Sequence, residues 1–408
     1  MMHSEVPVAT QSSDQLSKPS TPGQRIRVAV ICDFLEEAWP SMDLNGDLLC
    51  QFLARNHTAQ IATTQVRPPF QRRFMRIPVM GQALAWNADR LTNRHLDYPR
   101  WLRARRGQFD LFHIVDHSYS QLVHVLPPER TVVTCHDLDT FRCLLAPQSD
   151  RRPRWFRAMA QRTLNGFRRA AQVITNSHTT RDELLRHRLF PAERITVIHS
   201  GVHPAFSEPA DPAAEKEATR LLGVSSAGEI LLLSVGSTIP RKRIDILLRV
   251  FAAVRQEFPQ ARLVRIGGPF TPSQLQLARE LDVERAISVL PFLERRVVAS
   301  VYRRATLLLQ TSESEGFGMP IAEAMACGCP VVASDLPVLR EIGGDACSYC
   351  RVGDIDDWKR TVVHLFSGAT QPEVAAIRRQ QALAQVAPYT WAENARRTTQ
   401  VYWKVLGF

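Results

Sequence analysis

Glu315 and Glu323 stand eight positions apart, separated by Gly316-Phe317-Gly318-Met319-Pro320-Ile321-Ala322. The glycines make a loop, and Pro320 suits the first turn of a helix, where its missing N–H costs nothing. A helix start presents free backbone N–H groups, which suit an anion such as phosphate. A carboxylate at each end of that start can accept hydrogen bonds from the hydroxyls of a sugar and a ribose. Earlier in the chain, Gly236-Ser237-Thr238-Ile239-Pro240-Arg241-Lys242-Arg243 follows an apolar run. Adjacent cations on a turn at a strand end are what a diphosphate requires. Two more apolar runs end in acid–histidine pairs, Asp116-His117 and His136-Asp137, which puts polar groups along one rim.

The elements that must hold these groups are legible as apolar runs with turn residues between them. Arg27–Phe34, Phe109–Val115, Thr131–Cys135, Val173–Ser177 and Ile195–His199 read as buried strands of one α/β half. Glu229–Val235, Ala261–Ile266, Ile287–Phe292, Ala305–Gln310 and Pro330–Ser334 read as strands of a second. Helical patterns run over Leu48–Leu53, Val298–Ala305, Ile321–Ala326 and Trp391–Leu406. With 408 residues the chain exceeds a single core, so two domains are expected. No apolar run approaches the roughly 20 residues that span a bilayer. Residues 1–24, rich in Ser, Thr, Gln and Pro, read as a disordered tail. The eight cysteines are dispersed, which predicts free buried thiols, Cys347-x-x-Cys350 included. The net charge of +11 is concentrated in two blocks. Residues 67–106 hold ten Arg against two Asp, and residues 151–169 hold seven Arg and no acid. In the second block Phe156, Met159, Ala160, Leu164, Phe167 and Ala171 share a helical face. An interior-facing helix with a basic outside and a helix lying on anionic membrane both fit that pattern. Neither a phosphate-loop signature nor zinc-ligand spacing is present, and Asp137-x-Asp139 lies in the first half, so no metal is expected.

The stretch from Glu315 to Val332 resembles the donor-site signature of retaining GT-B glycosyltransferases of family 4. Gly236, Arg241 and Lys242, and the pair His136-Asp137, are similar to further parts of that family's pattern. The resemblance implies a GT-B fold, an α/β architecture of two Rossmann-like domains facing across a cleft. An acceptor-binding domain is expected over 25–206 and a donor-binding domain over 207–390. A terminal helix over 391–408 is expected to cross back to the first domain. The implied activity is transfer of a hexosyl unit, with retention, from a UDP-, GDP- or ADP-hexose to an acceptor, with no other cofactor. Arg241 and Lys242 would neutralise the diphosphate, Glu315 would hold hexose hydroxyls and Glu323 the ribose. Gly236, Phe292, Gly316, Phe317, Gly318 and Met319 would complete the donor pocket, with Phe292 ending the region that resembles the base-reading strand. His136 would lie near the anomeric carbon, and His117 would line the acceptor cleft. The family's Gly-rich turn after the first strand is replaced by Met42-Asp43-Leu44-Asn45-Gly46, which leaves Gly46 alone to approach the donor. Ser200-Gly201-Val202-His203 also departs, at both ends, from the family's Asn-Gly-Val-Asp. Three alternatives stay open: a sugar-nucleotide epimerase, an inactive sugar-nucleotide-binding scaffold, and a nucleic-acid module on the basic half, although no nucleic-acid motif is present. A cytoplasmic protein, peripheral at the inner face of the membrane, is the expected setting.

Overall fold

The computed structural model describes residues 25–77, 81–206, 209–223, 230–368 and 372–408. The tail expected over 1–24 lies outside these. The first half builds β1 (Ile26–Ile31), β2 (Ile61–Val66), β3 (Leu111–Ile114), β4 (Thr131–Cys135), β5 (Gln172–Thr175) and β6 (Ile195–Val197). They form one sheet in the order β2-β1-β3-β4-β5-β6. The second half builds β7 (Leu231–Val235), β8 (Arg262–Ile266), β9 (Ile287–Leu290), β10 (Leu307–Gln310), β11 (Val331–Ser334) and β12 (Ser348–Cys350). Their order is β12-β11-β10-β7-β8-β9. All described strand pairs are parallel.

Parallel sheets need helices on both faces, which is why these strands read as unbroken apolar runs. In the second sheet Leu232, Leu307 and Leu309 pack under the helix Ile244–Glu257 through Leu247 and Phe251. Leu231, Leu233 and Leu308 face the other way, onto Ile321 and Met325 of the helix Met319–Ala326. In the first sheet Ile114, Val133 and Val173 meet Leu164 and Phe167 of the helix Arg154–Arg169. The opposite face holds Val28, Val30, Val132 and Ile174 against Leu48 and Leu53, and against Trp391 and Tyr402 of the helix Trp391–Leu406. The last helix of the chain therefore belongs to the first core. Tyr402 Oη lies 2.7 Å from His113 Nδ1, and Asn394 Nδ2 donates to the His199 carbonyl at 2.8 Å.

Strand order reverses twice, between β1 and β3 and between β7 and β10. Such switch points open a crevice at the carboxyl ends of the strands, where α/β folds place ligands. The turns carrying Gly236 and Glu315 leave β7 and β10, the two strands that flank the second switch point.

Two expectations need correction. Residues 42–46 are not a turn, because the helix Pro40–Asn56 already begins at Pro40. Gly46 lies within it, where a Cβ would stand 2.6 Å from Cys32 Sγ. Its smallness lets the helix close on β1 and makes no ligand-facing loop. The basic block 67–106 is also more than a charged surface. It folds into helices Gln82–Thr92 and Tyr98–Arg105, joined through a π-helical Asn93–Asp97. All eight cysteines are free, and seven of them are buried. Among the described residues no helix is long and apolar enough to cross a membrane.

Candidate active site

The turn after β7 ends in a single 3-10 turn, Pro240–Lys242, and Arg243 then takes a left-handed backbone at φ 47°. That conformation costs a non-glycine residue roughly 1–2 kcal/mol. It sends the Arg243 guanidinium out to Asp245 and Glu313, at 2.9 and 3.2 Å. Arg241 and Lys242 are left facing Glu315. Lys242 Nζ stands 2.6 Å from Glu315 Oε1 and Arg241 Nη1 stands 3.3 Å from Oε2. Gln310 Nε2 and Ser312 Oγ donate to the same carboxylate at 2.6 and 2.7 Å. Burial pushes this carboxyl up, but Lys242, Ser312 and Arg241 outweigh it and hold Glu315 below the usual glutamate range. It is a fixed anion between two cations.

Glu323, on the next helix, is in the opposite state. Burial raises its carboxyl to about 7, against weaker pulls from the Tyr302 hydroxyl, Arg295 and Lys242. Tyr302 Oη donates to it at 3.1 Å. Gly318 caps that helix at φ 103°, a conformation side chains rarely adopt, and a Cβ there would also meet Leu339 at 2.7 Å. Phe317 is buried, with its ring beside His199 and Tyr389. Met319 packs against the second core. Phe292 is 72% exposed just past β9, with Gly268 beneath its ring edge.

The first half closes directly on this turn. A Cβ on Gly316 would lie 2.4 Å from the His136 carbonyl oxygen, so the chains touch there. Ser177 Oγ donates to the Gly316 carbonyl at 3.0 Å. Between the halves lies a cavity of about 230 Å³, lined by Asp137, Asp139, Arg142, Glu183, Arg241 and Glu315 among others. His136 Nε2 is 2.8 Å from the Val115 carbonyl, so that nitrogen carries the proton. Burial holds His136 below the ordinary histidine range, although Asp116 pulls it up. It is a neutral imidazole with Nδ1 left as an acceptor. His117 does not line the cavity. It is buried behind Asp137, with Nδ1 3.3 Å from Asp116 and its ring on Phe141. Polar residues to which the motifs assign no role also reach the site. Gln310 and Ser312 grip Glu315, and Asp139 stands 3.9 Å from Arg241 across the cleft. The only sequence signal for the first two was their position at a strand end.

A carboxylate fixed between two cations borders a cleft between two parallel-sheet domains, at the strand ends where α/β folds place ligands. Two family models match the chain, Glycosyltransferase Family 4 over residues 47–206 and Glycosyl transferases group 1 over residues 222–376. The chain belongs to this glycosyltransferase family, and glycosyl transfer from a nucleotide sugar is its activity. Among its relatives is a D-inositol 3-phosphate glycosyltransferase of Thermobispora bispora, 29% identical over 74% of this chain and 72% of that protein. Another is the O-antigen chain mannosyltransferase B of Escherichia coli, 28% identical over 74% of this chain and 78% of that one. Sucrose-phosphate synthase from Thermosynechococcus elongatus has the same fold, with a TM-score of 0.71 at 18% identity, over 94% of this chain and all of that one.

Proposed function

We propose that the protein moves a hexosyl unit from a UDP-, GDP- or ADP-hexose to an acceptor hydroxyl with retention, using one face of the sugar. The observation that carries this reading is the Glu315 carboxylate, held between Lys242 and Arg241 at the mouth of the interdomain cavity. Lys242, Arg241 and the helix start at Gly318 bind the diphosphate and stabilise the charge it gains as the bond from C1 to phosphate oxygen breaks. Each well-placed donor of this kind contributes on the order of 3 kcal/mol. Glu315 accepts hydrogen bonds from hexose hydroxyls and fixes the ring. Glu323 accepts from the ribose, and the base lies near Phe292. The acceptor oxygen bonds to C1 from the side the diphosphate leaves, and its proton passes to the departing phosphate oxygen. His136, neutral and without a role as nucleophile, positions sugar and acceptor. The relatives' names point to an inositol phosphate or a glycan chain as acceptor classes.

Thermal shift against UDP-, GDP- and ADP-sugars identifies the donor, since a ligand that binds only the folded state stabilises it. Glu315→Ala is expected to fold and to lose transfer by about 100-fold or more. A folded Glu315→Ala protein with near-normal turnover removes the role assigned to this residue.

We further propose that the basic half rests on anionic membrane while it works. Large apolar side chains stand exposed among its arginines, with Trp155 59%, Leu84 65%, Leu96 44% and Met75 41% exposed. Arginine beside exposed tryptophan and leucine suits the boundary between headgroups and acyl chains. In sedimentation at low salt the protein should pellet with vesicles containing phosphatidylglycerol and stay free of phosphatidylcholine vesicles. Equal partition between the two contradicts the docking.

A further inference from the structure

Arg265 lies on β8 with none of its surface exposed. Both terminal nitrogens reach a single acceptor, the carbonyl of Gly236, at 2.9 Å each. Nη1 also stands 3.3 Å from the Ile266 carbonyl, and Nε has no partner. Among the described residues no carboxylate pairs with it. Burial alone sets its titration, pulling it down to about 10. A buried cation without a counter-ion costs several kcal/mol that an apolar side chain on the same strand would not. The structural need it meets, the carbonyls of Gly236 and Ile266, does not require a charge.

The carbonyl it grips belongs to the turn over the second switch point. Gly236 sits at φ 139°, and Gly267 passes beneath it so closely that a Cβ there would lie 2.1 Å from the Gly236 oxygen. A trans peptide is planar, with its C=O and the following N–H pointing in opposite directions. Fixing the Gly236 oxygen inward, on Arg265, therefore turns the Ser237 N–H outward. Arg265, Gly236, Ser237, Lys242 and Ser312 line one small polar cavity in the crevice between β7 and β10. Arg265 thus stands behind the peptide whose N–H it turns away from itself, in the same cavity wall as Lys242.

We propose that Arg265 is a positioning residue of the diphosphate site: it locks the Gly236–Ser237 peptide so that its N–H faces the donor phosphates, and its own charge, faced until then by the Phe270 ring at 5.8 Å, gains a counter-ion when they arrive. This rests on the donor reading above and adds a third cation, set behind the backbone, to Arg241 and Lys242.

The test is calorimetric titration of the wild type, Arg265→Met and Arg265→Lys with UDP, GDP, ADP and inorganic pyrophosphate, with the corresponding nucleosides as controls. Ligand-free proteins are melted alongside. For Arg265→Met we expect a melting temperature equal to or above the wild type, because an uncompensated buried charge is gone. Its affinity for pyrophosphate and for the best nucleoside diphosphate should fall about tenfold or more, with nucleoside affinity unchanged. Arg265→Lys keeps the charge but cannot fork onto one carbonyl, and should lie between the two. It also carries the test if Arg265→Met fails to fold. A wild type that binds a nucleoside diphosphate, beside substituted proteins that melt lower yet bind it equally well, reduces Arg265 to a strut and overturns the inference alone. A folded wild type that binds none of the three overturns the donor reading, and this inference with it.

Discussion

Glu315 and Glu323 flank one helix start and titrate in opposite directions, which gives them separable signatures. Glu315 is ionised across the useful pH range because its cations outweigh its burial. Glu323, raised by burial to about 7, is half protonated near neutrality. The diphosphate of a sugar nucleotide is esterified at both ends and does not titrate there, so Glu323 stands out in the donor's own binding. If only the carboxylate accepts the ribose hydroxyls, donor KM should fall about tenfold from pH 6 to pH 8. Glu323→Gln should flatten that profile. The stability sign follows from the same shift. The fold holds this proton more tightly than the unfolded chain does, so Glu323 subtracts stability as pH rises from the ordinary glutamate value towards 7. Glu323→Gln should therefore melt higher than the wild type at pH 8. A steep KM profile retained in Glu323→Gln, or a lower melting temperature at pH 8, contradicts this assignment.

The turn from Ser312 to Gly318 is an element whose shape was legible in sequence. An apolar run, then glycines, then proline at a helix start leaves few alternatives, and β10, the loop and the helix Met319–Ala326 follow that order. The run before Gly236 was as clear. The first half was harder to read, for two physical reasons. In residues 67–106 arginine dominates the composition, so the apolar periodicity of helices Gln82–Thr92 and Tyr98–Arg105 is submerged. At Gly46 the residue type suggested a turn, but a glycine demanded by close packing of helix on strand looks the same in one dimension. The partners of Glu315 were only half visible, since the Arg-Lys pair is a pattern and a lone Gln310 or Ser312 is not. The turn also makes a prediction of its own. Gly316 meets the His136 carbonyl, where any side chain collides with backbone that cannot swing away. Gly316→Ala should hold the halves apart at the cleft and lower kcat by about tenfold or more, through lost alignment. Nucleoside diphosphate binding, carried by residues of the second half, should survive. Titration and turnover on the same preparation separate the two, and equal loss of both contradicts a role in closure.

At the scale of the whole molecule, the two halves are tied by contacts that no local pattern announces. Glu341 and His199 are 142 positions apart, yet His199 Nε2 stands 2.7 Å from Glu341 Oε1. Glu341 belongs to the second half, on the helix Pro337–Gly343. Its carboxylate also accepts from the backbone N–H groups of His178 and Thr179, at 2.8 and 3.4 Å. Those groups open the helix His178–Arg186 of the first half. One domain thus supplies the anion at the helix N-terminus of the other, where negative charge is favoured. Burial pushes the Glu341 carboxyl up, but His199 and the His178 N–H hold it below the usual glutamate range. Its contribution is therefore present above the ordinary glutamate pKa and is lost as pH falls through the lower folded value. Glu341→Ala removes the anion and leaves His199 and the helix start without their partner. It should cost about 1–3 kcal/mol of stability. Small-angle scattering should show a larger radius of gyration, and amide exchange at His178–Arg181 should accelerate. Nucleotide affinity should stay near the wild-type value, because Lys242, Arg241 and Glu315 all lie in the second half, while turnover falls as the first half loses its fixed approach to them. A Glu341→Ala protein with unchanged scattering and unchanged exchange at residues 178–181 would show that the Gly316 contact and the shared terminal helix hold the halves together without it.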